Sequence, residues 1–144
     1  MAIINNFIYA STYGGLSVSK DNGSTWTNYS TADGLADNIV YGSYSSGSTV
    51  YAATDRGFSI YKNFKWINYA SSQGLGSNHF YGVYASGNKI YTATFDGLSI
   101  YDGRIWKIYT QANGLGDNYV NSVFAAGSRI YAATNYGLSI GKWD

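Results

Sequence analysis

The chain repeats itself. Tyr9-Ala10-Ser11-Thr12 returns as Tyr51-Ala52-Ala53-Thr54, Tyr91-Thr92-Ala93-Thr94 and Tyr131-Ala132-Ala133-Thr134, at intervals of 42, 40 and 40 residues. Each copy is followed by glycine and an apolar residue, at Gly15-Leu16, Gly57-Phe58, Gly97-Leu98 and Gly137-Leu138. Farther along come Trp26, Trp66 and Trp106, then Gly34-Leu35, Gly74-Leu75 and Gly114-Leu115, then Asn38, Asn78 and Asn118. Residues 51–90 and 91–130 agree at 17 of 40 positions. A period in this range marks folds whose units bury their faces only by stacking on one another.

Within a unit the turn signals separate four short strands. In the second unit they are expected at about 39–45, 49–54, 58–62 and 65–69, named A to D in order. The glycine after strand B falls where a tight turn demands a positive φ. Strand B sets Val50, Ala52 and Thr54 against Tyr51 and Ala53, so neither face is clearly solvated. A sheet apolar on both faces needs neighbours on both sides. Four-stranded antiparallel sheets stacked around an axis supply them, and the fold class is therefore all-β, a β-propeller. Gly42, Gly82 and Ser122, in the A strands, suit the crowded position nearest the axis.

Composition agrees with that reading and removes several functions. Aromatic residues make up 18% and charged residues 12%, with no Pro, which fits half-buried pleated surfaces rather than disorder. The net charge is +1 and the nine Lys and Arg are scattered, so no stripe exists to neutralise nucleic-acid phosphates. With no Cys there is no disulfide, thiolate metal site or thiol redox chemistry. All eight acidic residues are Asp, and His79 is the single histidine, so no resident metal or other cofactor is expected. A calcium site of Asp-turn oxygens stays open as the exception. No apolar run is long enough to span a bilayer and no signal-peptide pattern opens the chain.

The segment Ser19-Lys20-Asp21-Asn22-Gly23-Ser24-Thr25-Trp26 resembles the Asp-box, S-x-D-x-G-x-T-W, of the sialidase-type repeat. The whole unit resembles the propeller repeat of two-component regulator sensors. In the Asp-box family the box forms the turn between the third and fourth strands, where the present partition also puts it. The resemblance implies the propeller fold and favours an extracellular or periplasmic setting. The corresponding turns at 62–65 and 102–105 are two residues shorter and lack the box. Asp21 is expected to bond its own turn rather than a ligand.

The resemblance does not carry catalysis with it. A sialidase would need an arginine cluster and a Tyr/Glu pair, yet Arg56, Arg104 and Arg129 fall at three different points of the repeat and Glu is absent. A serine triad would rest on His79, at a position held by Ile39 and Tyr119 in other units, which favours packing or a channel mouth. Binding suits the composition better, because aromatic rings stack on sugars while Asn and Asp bond hydroxyls. In a propeller the D–A loops and B–C turns share one face. The D–A loops carry Asp33, Asp37, Asn113 and Asp117 beside the constant Asn38, Asn78 and Asn118, which are expected to fix their loops. The B–C turns carry Tyr13, Asp55, Arg56, Phe95, Asp96, Asn135 and Tyr136, which vary inside a constant frame and are the candidate ligand contacts. Trp26, Trp66 and Trp106 are expected to pack between strands.

The chain reads as a single domain, residues 1–144, with repeats at about 1–33, 34–73, 74–113 and 114–144. Aligning Tyr9 with Tyr51 leaves the first unit without an A strand and the last without a D strand, hence about 3.5 blades and fourteen strands. Closed propellers use four to eight blades. An open arc exposes apolar faces and unpaired edges. The expected partner is therefore a second copy of the chain, a homodimer completing the ring with strand exchange at the junctions. A cramped four-bladed monomer and a piece of a longer array are the alternatives. The expected function is a non-catalytic, lectin-like module that binds glycan, and no nucleic-acid or membrane partner is expected. A structural or sensory propeller without its own small ligand is the competitor, and a glycoside hydrolase is the least supported.

Overall fold

The computed structural model describes residues 1–143. It contains four antiparallel sheets of consecutive strands. The first holds β1 (Ala2–Ile4), β2 (Phe7–Thr12), β3 (Gly15–Ser19) and β4 (Thr27–Tyr29). The second holds β5 (Val40–Ser46), β6 (Thr49–Thr54), β7 (Gly57–Lys62) and β8 (Lys65–Tyr69). The third holds β9 (Phe80–Ser86), β10 (Lys89–Thr94), β11 (Gly97–Tyr101) and β12 (Trp106–Tyr109). The fourth holds β13 (Val120–Ala126), β14 (Arg129–Thr134) and β15 (Gly137–Gly141), with no fourth strand among the described residues.

The first sheet corrects the expectation of a unit without an A strand. Ala2, Ile3 and Ile4 pair with Tyr9, Ile8 and Phe7. The turn between them is only Asn5-Asn6, with Asn5 at φ 56, a left-handed conformation that Asn tolerates in two-residue hairpins. The described residues thus hold fifteen strands rather than fourteen. No strand has to be borrowed to complete the first blade, so the premise of strand exchange at that end falls away.

Neighbouring sheets stack face to face, and each interface repeats one recipe. One face of a sheet presents Tyr, Ala and the apolar residue after the turn glycine, as in Tyr51, Ala53 and Phe58. It packs on the opposite face of the next sheet, as on Phe80, Ala85 and Ile90, with the loop residue Leu75 sealed between them. The same arrangement joins the first sheet to the second and the third to the fourth. We call the first of these the leading face and the second the trailing face.

The A strands line the inside of the arc. Adding a Cβ at Gly42 would bring it within 2.8 Å of the Tyr81 carbonyl oxygen in the next A strand. Only a residue without a side chain permits that approach, which explains the small residue at this position. The turn glycines are constrained differently. Gly97 sits at φ +130, and a Cβ there would lie 2.4 Å from the Tyr109 carbonyl oxygen of the D strand. Gly137 keeps the same kind of φ, +114, but faces open space because the fourth sheet has no D strand beside it among the described residues.

The D–A loops are built alike. Each begins with a one-turn 3₁₀ helix, Thr31–Asp33, Ser71–Gln73 or Gln111–Asn113, closed by a left-handed Gly34, Gly74 or Gly114. The Oδ1 atoms of Asn38, Asn78 and Asn118 accept from the backbone N–H groups of Thr31, Ser71 and Gln111, each at 2.8 Å. These asparagines spend their side chains on the loop itself.

Candidate functional site

The B–C turns are held by a repeated set of hydrogen bonds. Thr12, Thr54, Thr94 and Thr134 each donate a hydroxyl bond to the carbonyl of the glycine three residues on, at 2.6 to 2.9 Å. In three turns the second turn residue, Gly14, Asp96 or Tyr136, donates its N–H to the same hydroxyl. The first turn residue donates its N–H back to the A strand's approach: Asp55 to Ile39, Phe95 to His79 and Asn135 to Tyr119. Because these bonds come from the threonine and the backbone rather than from the turn side chains, those positions are free to vary.

The first residue of each turn points toward the axis and meets the A strands there. The Tyr13 ring stands edge-on to Tyr41, with centroids 6.3 Å apart. Tyr41 packs on Tyr81 at 5.2 Å, and Tyr81 stacks on Tyr119 at 5.0 Å with the planes 15° apart. Phe95 meets Tyr119 edge-on at 5.0 Å and His79 at 6.3 Å. Polar groups interrupt this belt at intervals. The Tyr41 hydroxyl donates to Asp55 Oδ1 at 3.2 Å, and His79 Nδ1 lies 3.2 Å from the same oxygen. At the far end Asn121 Nδ2 donates to Asn135 Oδ1 at 3.0 Å.

Burial, followed by the bond to Tyr119, pushes the Tyr81 phenol well above its ordinary range. Burial and then the bond to Asp55 push Tyr41 upward as well. Both hydroxyls are therefore protonated at neutral pH and act as donors. Asp55 is the one carboxylate joined to the belt by these contacts, and its neighbours are a phenol and an imidazole rather than a second carboxylate.

Of the candidate ligand contacts, the structure brings Tyr13, Asp55, Phe95 and Asn135 to the belt. It does not bring Arg56, Asp96 or Tyr136, because the second residue of a two-residue turn leaves on the other side. Arg56 reaches Asp37 of the D–A loop at 3.8 Å, Asp96 is exposed, and Tyr136 is 83% exposed. Sequence reasoning missed Tyr41, Tyr81, Tyr119 and Asn121. For Tyr41 and Tyr81 the available signal was an aromatic residue directly before Gly42 and Gly82, which sets its side chain beside the innermost strand position; Tyr119 falls at the repeat position of His79 and carries no such mark.

The residues read as structural have separate work. Asp21 Oδ1 accepts from the Thr25 N–H at 2.8 Å, and Oδ2 accepts from the Thr25 hydroxyl at 2.6 Å. Those bonds, the Thr25 hydroxyl first, hold the Asp21 carboxyl below the usual carboxylate range. Trp66 and Trp106 pack onto Tyr29 and Tyr69 of the preceding sheets at 5.8 and 6.4 Å. Trp26, with no sheet before it among the described residues, is 45% exposed and donates to the Gly23 carbonyl. Among the described residues no three His, Cys, Asp or Glu side chains gather as a metal site, and no helix is long and apolar enough to cross a membrane.

A second concavity lies on the opposite rim, between the first two sheets. This cleft of about 460 Å³ is lined by Tyr9, Tyr29, Tyr61, Phe64 and Trp66, with Lys20 at its edge. The Trp66 Nε1 is buried without a hydrogen-bond partner.

No family model and no curated protein matches the chain. Solved structures do. The chain is similar to the extracellular domain of the hybrid two-component system BT3049 from B. thetaiotaomicron, with a TM-score of 0.81 at 21% identity over 97% of this chain and 20% of that one. It is similar to the computationally designed protein Ika4, with a TM-score of 0.72 at 14% identity over 97% of this chain and 87% of that one. An ancestral GH74 enzyme matches with a TM-score of 0.73 at 17% identity over 95% of this chain and 21% of that one. The chain therefore spans about a fifth of two of these proteins. At such identities the likeness speaks to fold, and on repeat, sheet order and likeness together the chain is a β-propeller repeat protein resembling the propellers of two-component regulators.

Proposed function

We propose that this chain is a non-catalytic binding module, working outside the cytoplasm, that takes a carbohydrate at the axial belt. The observation that carries the reading is the belt itself. Tyr13, Tyr41, Tyr81, Phe95 and Tyr119 offer ring faces and edges, while Asp55, His79, Asn121 and Asn135 stand between them as hydrogen-bonding groups. Sugar rings present apolar C–H faces and a perimeter of hydroxyls, and this alternation of stacking surface and polar group matches both. The extracellular setting is supported by the likeness to regulator domains described as extracellular.

Glycoside hydrolysis calls for two facing carboxylates, about 5 to 9.5 Å apart. Asp55 has His79 and Tyr41 as its near partners, which supports binding over catalysis. A sensory role as part of a regulator is the second reading, favoured by the same extracellular regulator domains. The two readings differ in whether the isolated chain holds a sugar.

A glycan array followed by calorimetry tests the proposal. Binding of at least one oligosaccharide is expected, weakened about tenfold or more by Tyr81→Ala, in line with the loss of one stacking platform. A folded chain that holds no sugar at any concentration on the array overturns it.

A further inference from the structure

The two end sheets leave uncovered the faces that every inner sheet covers. On the leading face of the fourth sheet, Leu138 is 62% and Ile140 55% exposed, whereas their counterparts Leu98 and Ile100 in the third sheet are 0% and 3% exposed. Phe124, which follows Tyr44 and Tyr84 in a file of rings 5.0 and 4.8 Å apart, is exposed at the end of that file. On the trailing face of the first sheet, Ile3 is 62% exposed, Ile8 and Ala10 are half-buried, and Trp26 lies open. Their counterparts in the fourth sheet are the half-buried Ala125, and Ile130 and Ala132, which are buried.

We infer that a second copy of this chain docks head to tail, the leading face of its fourth sheet on the trailing face of the first, twice over, to close a ring of eight blades. The identity of the occupant comes from the molecule. A leading face meets a trailing face at all three inner interfaces, and the chain's two free faces are one of each kind. The interface proposed is thus the continuation of one already built three times. Neither face carries a charged residue among the positions named, so no unpaired charge is buried by the union. The number of copies follows from closure. One chain leaves both faces open, two give eight blades, and three would give twelve, beyond the four to eight that closed propellers use.

Trp143 prepares the fourth sheet for this role. Its ring lies over Gly141, 2.7 Å from where a Cβ would stand, and packs on Tyr109 at 6.3 Å. Its Nε1 donates to the Asn113 carbonyl at 3.0 Å. Trp66 and Trp106 make the equivalent contact with the preceding sheet from their D strands, so Trp143 supplies the tryptophan without the strand. The ring also completes the belt. Tyr13 stands against the A strand of the following sheet within a chain, and the repeat sets its equivalent in the fourth sheet, Asn135, against the first sheet of the second copy. The inference deepens the proposed function by making the sugar site a joint product of two chains.

Light scattering and sedimentation of the full chain test it. A particle of twice the 15.7 kDa chain mass is expected, and a single-chain, three-chain or open-ended species overturns it. Leu138→Asp and Ala10→Asp, each on a face that is open in the single chain, should both weaken self-association by about 100-fold or more, as expected for an unpaired charge in an apolar interface. Circular dichroism checks that both variants fold. Mixed together, they should recover a one-to-one pair, because Leu138→Asp retains an intact first sheet and Ala10→Asp an intact fourth. If Leu138→Asp abolishes pairing while Ala10→Asp leaves it unchanged, the fourth sheets pair with each other and the head-to-tail arrangement is wrong. A pair that binds no sugar sinks the ligand alone, whereas a single chain that binds sugar sinks the ring alone.

Discussion

The interface between the second and third sheets and the two end faces are made of the same residues in different circumstances. Phe58 and Leu138 follow the same turn glycine and lean to the same side of their sheets. Phe58 is sealed by Phe80, Ala85 and Leu75, while Leu138 meets no following sheet. The pattern of a repeat is thus written for a position within a stack, and an end unit carries apolar surface that no other sheet among the described residues covers. Burial of such a surface supplies about 25 cal/mol per Å² of apolar area, so the difference between the two regions is energetic as well as geometric.

The largest expected consequence is a pair of truncations. Leu98→Ala should destabilise the fold by about 2–5 kcal/mol, the range for a buried leucine. Leu138→Ala should cost within about 0.5 kcal/mol at high dilution, the range for an exposed site. Urea denaturation at several protein concentrations checks both. Equal losses at every dilution would mean that the end faces already pack on each other inside one chain, which breaks the contrast.

A smaller effect sharpens it. Gly137→Ala meets backbone strain alone and should cost about 1–3 kcal/mol. Gly97→Ala meets the same strain and, in addition, the Tyr109 carbonyl oxygen, and should cost more. The gap between the two measures what the D strand adds, and thermal melts of the two variants report it.

The smallest effect concerns acid. Asp21 has its folded pKa depressed below the unfolded value, so the stability it contributes is present above about pH 4 and is lost as pH falls through the folded pKa. The second sheet turns between its third and fourth strands through Asn63-Phe64 and has no such carboxylate. On acidification the Ser19–Trp26 turn of the first sheet should loosen before that turn, seen as earlier amide exchange, and Asp21→Asn should remove the pH dependence. Simultaneous loosening of both turns would show that Asp21 is incidental.

Much of this architecture was legible in the residues. Strands B and C recur with a tyrosine and a glycine six residues apart in all four units, and that offset carries through to register. The A strand of the first unit was not legible, because Ala2-Ile3-Ile4 is too short to show alternation and Asn5-Asn6 does not look like a turn without its partner strand. The candidate site was half legible. Variation inside a constant frame pointed to the B–C turns, but it could not say which of two adjacent residues faces the axis. Tyr41 and Tyr81 were hidden for another reason: an aromatic residue in a strand of alternating apolar residues reads as core until the curvature of the arc is known.

The threonine–glycine clamp of the B–C turns separates what holds the molecule together from what it displays at the belt. Thr54 and Gly57 fix the path of the chain, and the Asp55 side chain is left to its belt partners Tyr41 and His79. The four turns already display a tyrosine, a carboxylate, a phenyl ring and an amide at equivalent places. Each repeat is therefore an interchangeable slot, and substitutions at Tyr13, Asp55, Phe95 and Asn135 can drift or be chosen by an engineer without renegotiating the scaffold. A protein built this way can change the chemistry of its belt faster than it changes its shape.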